Sequence, residues 1–376
     1  MKPKICYIVT ISATIRAFFI QQLKYLAKNG FDVSVVCSED HALQSELGNK
    51  ISFHPIRIPR GISLIGSFKT IRELTAYFKQ EHFDIIQYST PNAALYASIA
   101  GYFVNVKVRN YHLMGFRYLG AKGAMKSLLK TFEVISCKCS THIECVSKSN
   151  LELGIREKVF SKDKAVVIWN GSSGGVDLNN FDYHKRLEFR NEIRKKYNLS
   201  DDDFIFGFVG RITRDKGINE ILEAFENVKD AKLLMVGDPE GISTLNQQLY
   251  NDSLSNHNII YTGKVKNVEK YYAAIDTLLL PSYREGFGNV VIEAAAMGTP
   301  AIVSNIPGPI DIVEEGKTGL IVNSKDTKSL LKAMCTIRTM DYVEMGKYAR
   351  WKVEKDFDSR ILFDYILKRK EELINI

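Results

Sequence analysis

Residues 277–300, TLLLPSYREGFGNVVIEAAAMGTP, decide the architecture. The run opens with apolar residues in a length that suits a buried strand. It then turns on Pro281, Gly286 and Gly288 and enters an Ala-rich helical segment closed by Gly298. Strand, glycine-punctuated turn and helix in that order gather backbone amides, a helix N-terminus and two carboxylates, Glu285 and Glu293, around one small volume. Amides and the helix dipole suit phosphate, and a carboxylate accepts hydrogen bonds from vicinal hydroxyls of a sugar or ribose. A phosphorylated sugar is the ligand this chemistry fits.

Outward from that run, short β-rich stretches alternate with helical ones. In the first half the expected strands are 5–10, 33–38, 56–58, 85–88, 106–111 and 143–147, with helices over 15–28, 68–79, 93–103 and 123–137. After 166–169 the pattern restarts, with strands at 204–209, 233–236, 259–261, 278–280, 302–304 and 320–322. Strands separated by single helices need crossover connections and form parallel sheets. The reading is therefore α/β, with two Rossmann-like doubly wound domains in tandem and ligands at the carboxyl ends of the strands in a shared cleft. The linker is the turn-rich 171–177, and the chain is helical again from Asp341. A chain of 376 residues with 45% hydrophobic content also exceeds what one core usually supports.

No apolar run is long enough to span a bilayer, and the start reads as a short buried strand, so a cytoplasmic protein is expected. The six cysteines suit that compartment, with Cys6, Cys37, Cys145 and Cys335 in apolar patterns. The cluster Cys137, Cys139, His142, Cys145 lacks the paired spacing of zinc sites and reads as packing thiols. Charge is uneven. Residues 1–170 hold 23 Lys/Arg against 12 Asp/Glu, a net of +11, whereas residues 171–376 hold 28 against 31, a net of −3. A basic first half suggests an anionic partner there.

The spacing of Glu285 and Glu293 within 281–300, with GRITRDKG at 210–217 and NGSSGGVD at 170–177, resembles the signature of retaining GT-B glycosyltransferases of family 4. The resemblance covers nearly the whole chain and is strongest to the subgroup that builds capsular and exopolysaccharide repeat units on polyprenyl diphosphate. It implies a first domain over 1–168 for the acceptor, a second over 169–355 for the nucleotide sugar, and a terminal helix over 356–376 that packs back on the first.

Arg211 and Lys216 match the family's basic pair, which implies contact with the donor diphosphate as charge grows on the leaving group. Glu285 is implied on a hydroxyl of the transferred sugar and Glu293 on the ribose. Gly210, Gly286, Phe287, Gly288, Asn289 and Val290 complete the implied donor site. The DxD-like run Asp201–Asp203 reads as a loop cap. A diphosphate gripped by cations and a helix N-terminus needs no metal, and no cofactor is expected.

The first loop departs from the family, having no paired glycines. Ser12, Ala13 and Thr14 are small, Thr14 is placed to cap the following helix, and Ser12, Thr14 and Arg16 become acceptor or phosphate candidates. The sugar-facing position before Gly115 is Met114, with His112 two residues earlier on the same face. His112 either substitutes or packs at a strand end. Finally, Lys122, Lys126 and Lys130 repeat along one helical face, joined in the same half by Arg57, Arg60, Lys69 and Arg72. That face is either an ordinary surface or a contact for anionic lipid. The partners implied are a nucleotide-sugar donor, probed first as UDP, a polyprenyl-diphosphate-linked acceptor and the inner membrane surface, with no nucleic acid. An epimerase or hydrolase on the same scaffold, a binding module, and a transferase with a soluble acceptor are the rival readings.

Overall fold

The computed structural model describes residues 2–61 and 64–375. Two compact units divide the chain, one of Met1–Gly174 with Arg360–Ile376, the other Gly175–Ser359.

In the first unit, β1 (Lys4–Ile8), β2 (Asp32–Cys37), β3 (Ile51–Pro55), β4 (Ile85–Tyr88), β5 (Val108–Leu113), β6 (His142–Cys145) and β7 (Ala165–Val166) form one sheet. Its order is β3-β2-β1-β4-β5-β6-β7 and every pairing is parallel. Helices cover the sheet, so Ile5, Cys6, Tyr7 and Ile8 of β1 are all fully buried. That two-sided burial is why the strand reads as a continuous apolar run instead of an alternation.

The third strand lies at Ile51–Pro55, not at the expected 56–58. As an edge strand bonded only to β2, it leaves Ser52 and His54 exposed and lacks the apolar run that betrays a central strand. Ile56 and Ile58 are buried in the coil that leaves it, and this burial mimicked a strand. The expected helix at 15–28 is two, Ser12–Phe18 and Ile20–Lys28, broken at the buried Phe19. Thr14 lies inside the first; the N-cap position is Ile11, with no side-chain cap. Cys335 is exposed, contrary to its apolar surroundings in sequence.

In the second unit, β8 (Phe204–Val209), β9 (Ala231–Val236), β10 (Ile259–Gly263), β11 (Thr277–Leu280), β12 (Ala301–Ser304) and β13 (Gly319–Val322) form an all-parallel sheet of order β10-β9-β8-β11-β12-β13. The order reverses between β8 and β11, so the loops leaving these two strands diverge and open a crevice at their carboxyl ends. Those loops carry Gly210–Gly217 and Pro281–Gly288.

The chain ends in two helices, Tyr342–Asp356 and Ser359–Ile374. Trp351 and Ile361 on these helices are exposed, and Leu362, Phe363 and Ile366 pack with Tyr25, Ile168 and Trp169. The last helix belongs to the first unit. Its fully buried Lys370 donates to both carboxylate oxygens of Glu144 on β6, at 2.8 and 2.7 Å. Burial opposes ionisation of Glu144, but the Lys370 ammonium overrides it and holds the carboxyl below its ordinary range.

Candidate functional site

The basic loop of the second unit leaves β8 at Gly210, whose N–H donates to the Val236 carbonyl at 2.9 Å. It closes in a single 3-10 turn, Arg214–Lys216, ended by Gly217 in the left-handed region (φ 75°). A Cβ at Gly217 would lie 2.3 Å from the Pro281 carbonyl oxygen, so only glycine lets this loop lie against the end of β11. The approach has a direct chemical result. Lys216 Nζ reaches Glu285 Oε1 at 2.6 Å, and the same oxygen accepts from Ser282 Oγ at 2.8 Å. Both charged side chains are largely covered, 19% and 13% exposed, which strengthens their attraction relative to a surface pair.

Asp215 fastens the two loops. Its carboxylate accepts from Thr213 Oγ1 at 2.6 Å and Arg284 Nη2 at 3.2 Å, and its carbonyl accepts from the Tyr283 N–H at 2.8 Å. Arg211 differs from Lys216. It is more than half exposed, is paired among the described residues with Glu240 alone, at 3.1 Å, and can swing toward a ligand at small cost.

Past Glu285 the backbone enters the helix Asn289–Ala296 through Gly288 (φ 103°) at the N-cap position, where no side chain caps it. Gly286, Asn289 and Val290 are partly exposed around this end. Phe287 is not: its ring is buried edge-on against Phe357 at 5.5 Å, leaving only its backbone for a ligand. Glu293 sits on the fifth helical residue, partly accessible, and its Oε2 accepts from Tyr272 Oη at 2.7 Å. Burial pushes the Glu293 carboxyl up, against the lowering effect of that hydrogen bond. Ser282 and Tyr272 join the site here without a role in the sequence-based expectations. Ser282 lies inside the decisive run and was within reach; Tyr272, one of 18 tyrosines, carries no sequence signal.

The candidates of the first unit are more constrained than expected. Arg16 is not a free cation, since Asp40 and Glu46 both clamp it at 2.6 to 3.1 Å. Ser12 Oγ donates to the same Asp40 at 2.5 Å. His112 is buried on β5, within 3.0 Å of Ser173 Oγ and edge-on to Phe19. Burial, aided by the Lys370 charge and opposed by Glu144, pulls its pKa down to about 4, so at neutral pH it is an uncharged, packed imidazole. Of the lysine face, Lys122 and Lys126 are exposed, while Lys130 is engaged with Glu157 at 2.8 Å. Met125 and Leu128 beside them are exposed too. Cys137 and Cys145 are buried thiols pushed up by that burial, and among the described residues no three His, Cys, Asp or Glu side chains converge on one point.

Two all-parallel doubly wound sheets, the second carrying Lys216, Glu285, Glu293 and a helix N-terminus beyond its strand ends, make this an α/β chain of the GT-B fold. Residues 17–173 match the model for Glycosyltransferase Family 4 and residues 189–351 that for Glycosyl transferases group 1. The chain is 31% identical over 368 residues to the capsular polysaccharide biosynthesis glycosyltransferase CapM of Staphylococcus aureus, spanning 96% of this chain and 95% of that protein. It belongs to this glycosyltransferase family. The UDP-Gal:alpha-D-GlcNAc-diphosphoundecaprenol alpha-1,3-galactosyltransferase of Escherichia coli is 26% identical over 349 residues, 90% of this chain and 88% of that one. In fold, the chain superposes on Anabaena HepE, solved in complex with UDP, with a TM-score of 0.79 at 16% identity over 98% of this chain and all of the other.

Proposed function

We propose that this glycosyltransferase moves a sugar from a nucleoside diphosphate, UDP in the first instance, to a polyprenyl-diphosphate-linked acceptor of a surface glycan, with retention and without a metal ion. The observation that carries the donor reading is Lys216 held at 2.6 Å from Glu285 at the mouth of the Gly288 helix N-terminus. In the resting site cation and carboxylate neutralise each other. An entering donor offers each a better partner, phosphate for Lys216 and a sugar hydroxyl for Glu285. Arg211 joins from the same loop, and Glu293 takes the ribose.

As the C1–O bond to phosphate breaks, the acceptor oxygen bonds C1 on the same face, and the departing phosphate oxygen receives the acceptor's proton. Arg211, Lys216 and the helix N-terminus stabilise the charge on the leaving diphosphate. Ser12, Thr14 and Arg16 on the helix Ser12–Phe18 stay the acceptor or phosphate candidates of the first unit, Arg16 by exchanging Asp40 and Glu46 for a phosphate, while His112 packs against Ser173 and Phe19. The acceptor reading is supported by the names of the two relatives above, one of which acts on a diphosphoundecaprenol-linked sugar.

The test is transfer from a panel of radiolabelled nucleotide sugars to polyprenyl-diphosphate sugars and to soluble sugars. Transfer only to soluble sugars, or epimerised or hydrolysed donor without transfer, would replace this reading with one of its rivals. With the active donor, EDTA is expected to leave the rate largely intact, because side chains and amides meet the phosphate charge. Loss in EDTA with recovery on magnesium or manganese would contradict metal independence.

Membrane contact belongs to the same proposal. No described helix is long and apolar enough to cross a bilayer. The exposed Lys122 and Lys126 alternate with exposed Met125 and Leu128 at the start of the helix Gly123–Cys139, a pattern suited to peripheral binding at the inner face. Each such cation contributes about 1 kcal/mol near an anionic bilayer, screened by salt. The protein is expected to co-sediment with anionic but not zwitterionic liposomes, to release as salt rises, and to bind more weakly when Lys122 and Lys126 become Glu. Substituting Lys130, already paired, should add less. Equal binding to both liposome types, or to neither, would remove the case.

A further inference from the structure

Glu293 is held from behind by a residue that touches no ligand in the proposed site. Tyr272 lies on the helix Val268–Ala274, its side chain fully buried and its ring packed on Phe181 at 6.2 Å. Its backbone is fixed as well, since its carbonyl accepts from Thr299 Oγ1 at 2.7 Å. The phenol therefore has a set position, and it spends its one donor on Glu293 Oε2 at 2.7 Å. Glu293 Oε1 has no protein partner among the described residues and is not sealed from solvent. The two oxygens of one carboxylate are thus divided, one satisfied inside the unit and one presented outward.

We infer that Tyr272 is a positioning residue for nucleotide recognition: it orients Glu293 so that a single oxygen faces the ribose hydroxyls, and so sets the preference for ribose over deoxyribose. This rests on the proposed role of Glu293. The physical reason is that a carboxylate on two flexible torsions accepts hydrogen bonds over a wide arc, whereas one pinned at Oε2 presents Oε1 in a fixed direction. A charge-assisted bond from a buried donor supplies that pin. A ribonucleotide gains from the preset oxygen, and a nucleotide lacking the hydroxyl leaves it unpaired.

The experiment measures by calorimetry the affinity of the chain for whichever of UDP, GDP and ADP binds, and for its 2′-deoxy and 3′-deoxy counterparts. The chain as it stands should favour the ribonucleotide over at least one deoxy form by about ten-fold or more, and Tyr272→Phe should reduce that ratio several-fold while leaving the affinity for the deoxy form unchanged. A merely structural role would weaken both nucleotides alike. Glu293→Gln is the control. If no nucleotide binds, or Glu293→Gln leaves the ratio unchanged, the donor-site reading itself fails. If Glu293→Gln collapses the ratio and Tyr272→Phe does not, only the role of Tyr272 is overturned. Should Tyr272→Phe not fold, site-specific 3,5-difluorotyrosine keeps the ring and strengthens the donor. The ratio is then expected to change at fixed fold, and an unchanged ratio counts against the inference.

Discussion

Replacing Lys216 with Ala is expected to lower turnover by about two to three orders of magnitude, the range for removing one preorganised charge from a site where negative charge develops. The ammonium is mostly shielded from water and already aimed into the site by its 2.6 Å contact with Glu285. It therefore needs little reorganisation when a diphosphate arrives. Arg211→Ala should fall at the lower end of that range, because its guanidinium is more exposed and its charge is more strongly screened by water. The loss should appear in kcat more than in KM, since the charge on the leaving diphosphate is largest in the transition state. Both variants should stay folded, as the loop is held independently by Asp215 and by the close approach of Gly217 to Pro281. Steady-state transfer with the active donor reads the effect, and near-normal turnover of the folded Lys216→Ala enzyme would falsify the diphosphate clamp.

The second large effect is on stability. Lys370→Ala leaves Glu144 buried without its partner, and breaking a buried ion pair from one side costs about 3–5 kcal/mol. Because Arg369 Nε lies 3.8 Å from Glu144 and offers partial compensation, the lower end is expected. Even so this is a large part of the about 5–15 kcal/mol that holds a domain folded. Replacing both partners, as Lys370→Met with Glu144→Leu, should restore most of the loss, since no charge is then stranded.

The pH dependence follows from Glu144. Its folded pKa lies below the unfolded value of 4.5, so its contribution is complete above about 4.5 and disappears as pH falls through the lower folded value. Urea unfolding of the chain and of the double variant should therefore differ by a constant amount near neutrality, and in acid the chain should lose stability relative to the double variant, because protonated Glu144 leaves the buried Lys370 ammonium without its partner. A Lys370→Ala protein as stable as the parent at pH 7 would show that the terminal helix is held by its apolar residues alone.

Much of this arrangement was legible in the chain. The central strands are buried on both faces, so 5–8, 204–209 and 278–280 read as continuous apolar runs, and their alternation with helices required parallel sheets. The run at 277–300 likewise placed Glu285 and Gly288 in the turn after a strand and Glu293 in the helix that follows, because glycine punctuation and helix periodicity are local properties. Edge strand β3 escaped, since one free edge and solvent on alternate residues erase the apolar signal.

What the tertiary structure alone decided is which polar groups meet. Lys216 and Glu285 are 69 residues apart, Arg16 finds Asp40 and Glu46 across 24 and 30 residues, and Lys370 finds Glu144 across 226. Tyr272 looks in sequence like any core aromatic, yet its hydroxyl ends on Glu293. A sequence carries the period of its elements because each element is built from near neighbours. The partner of a charged or hydroxyl group depends on where separate elements come to rest, and there a contact of under 3 Å decides whether a side chain waits for a ligand or already has a partner.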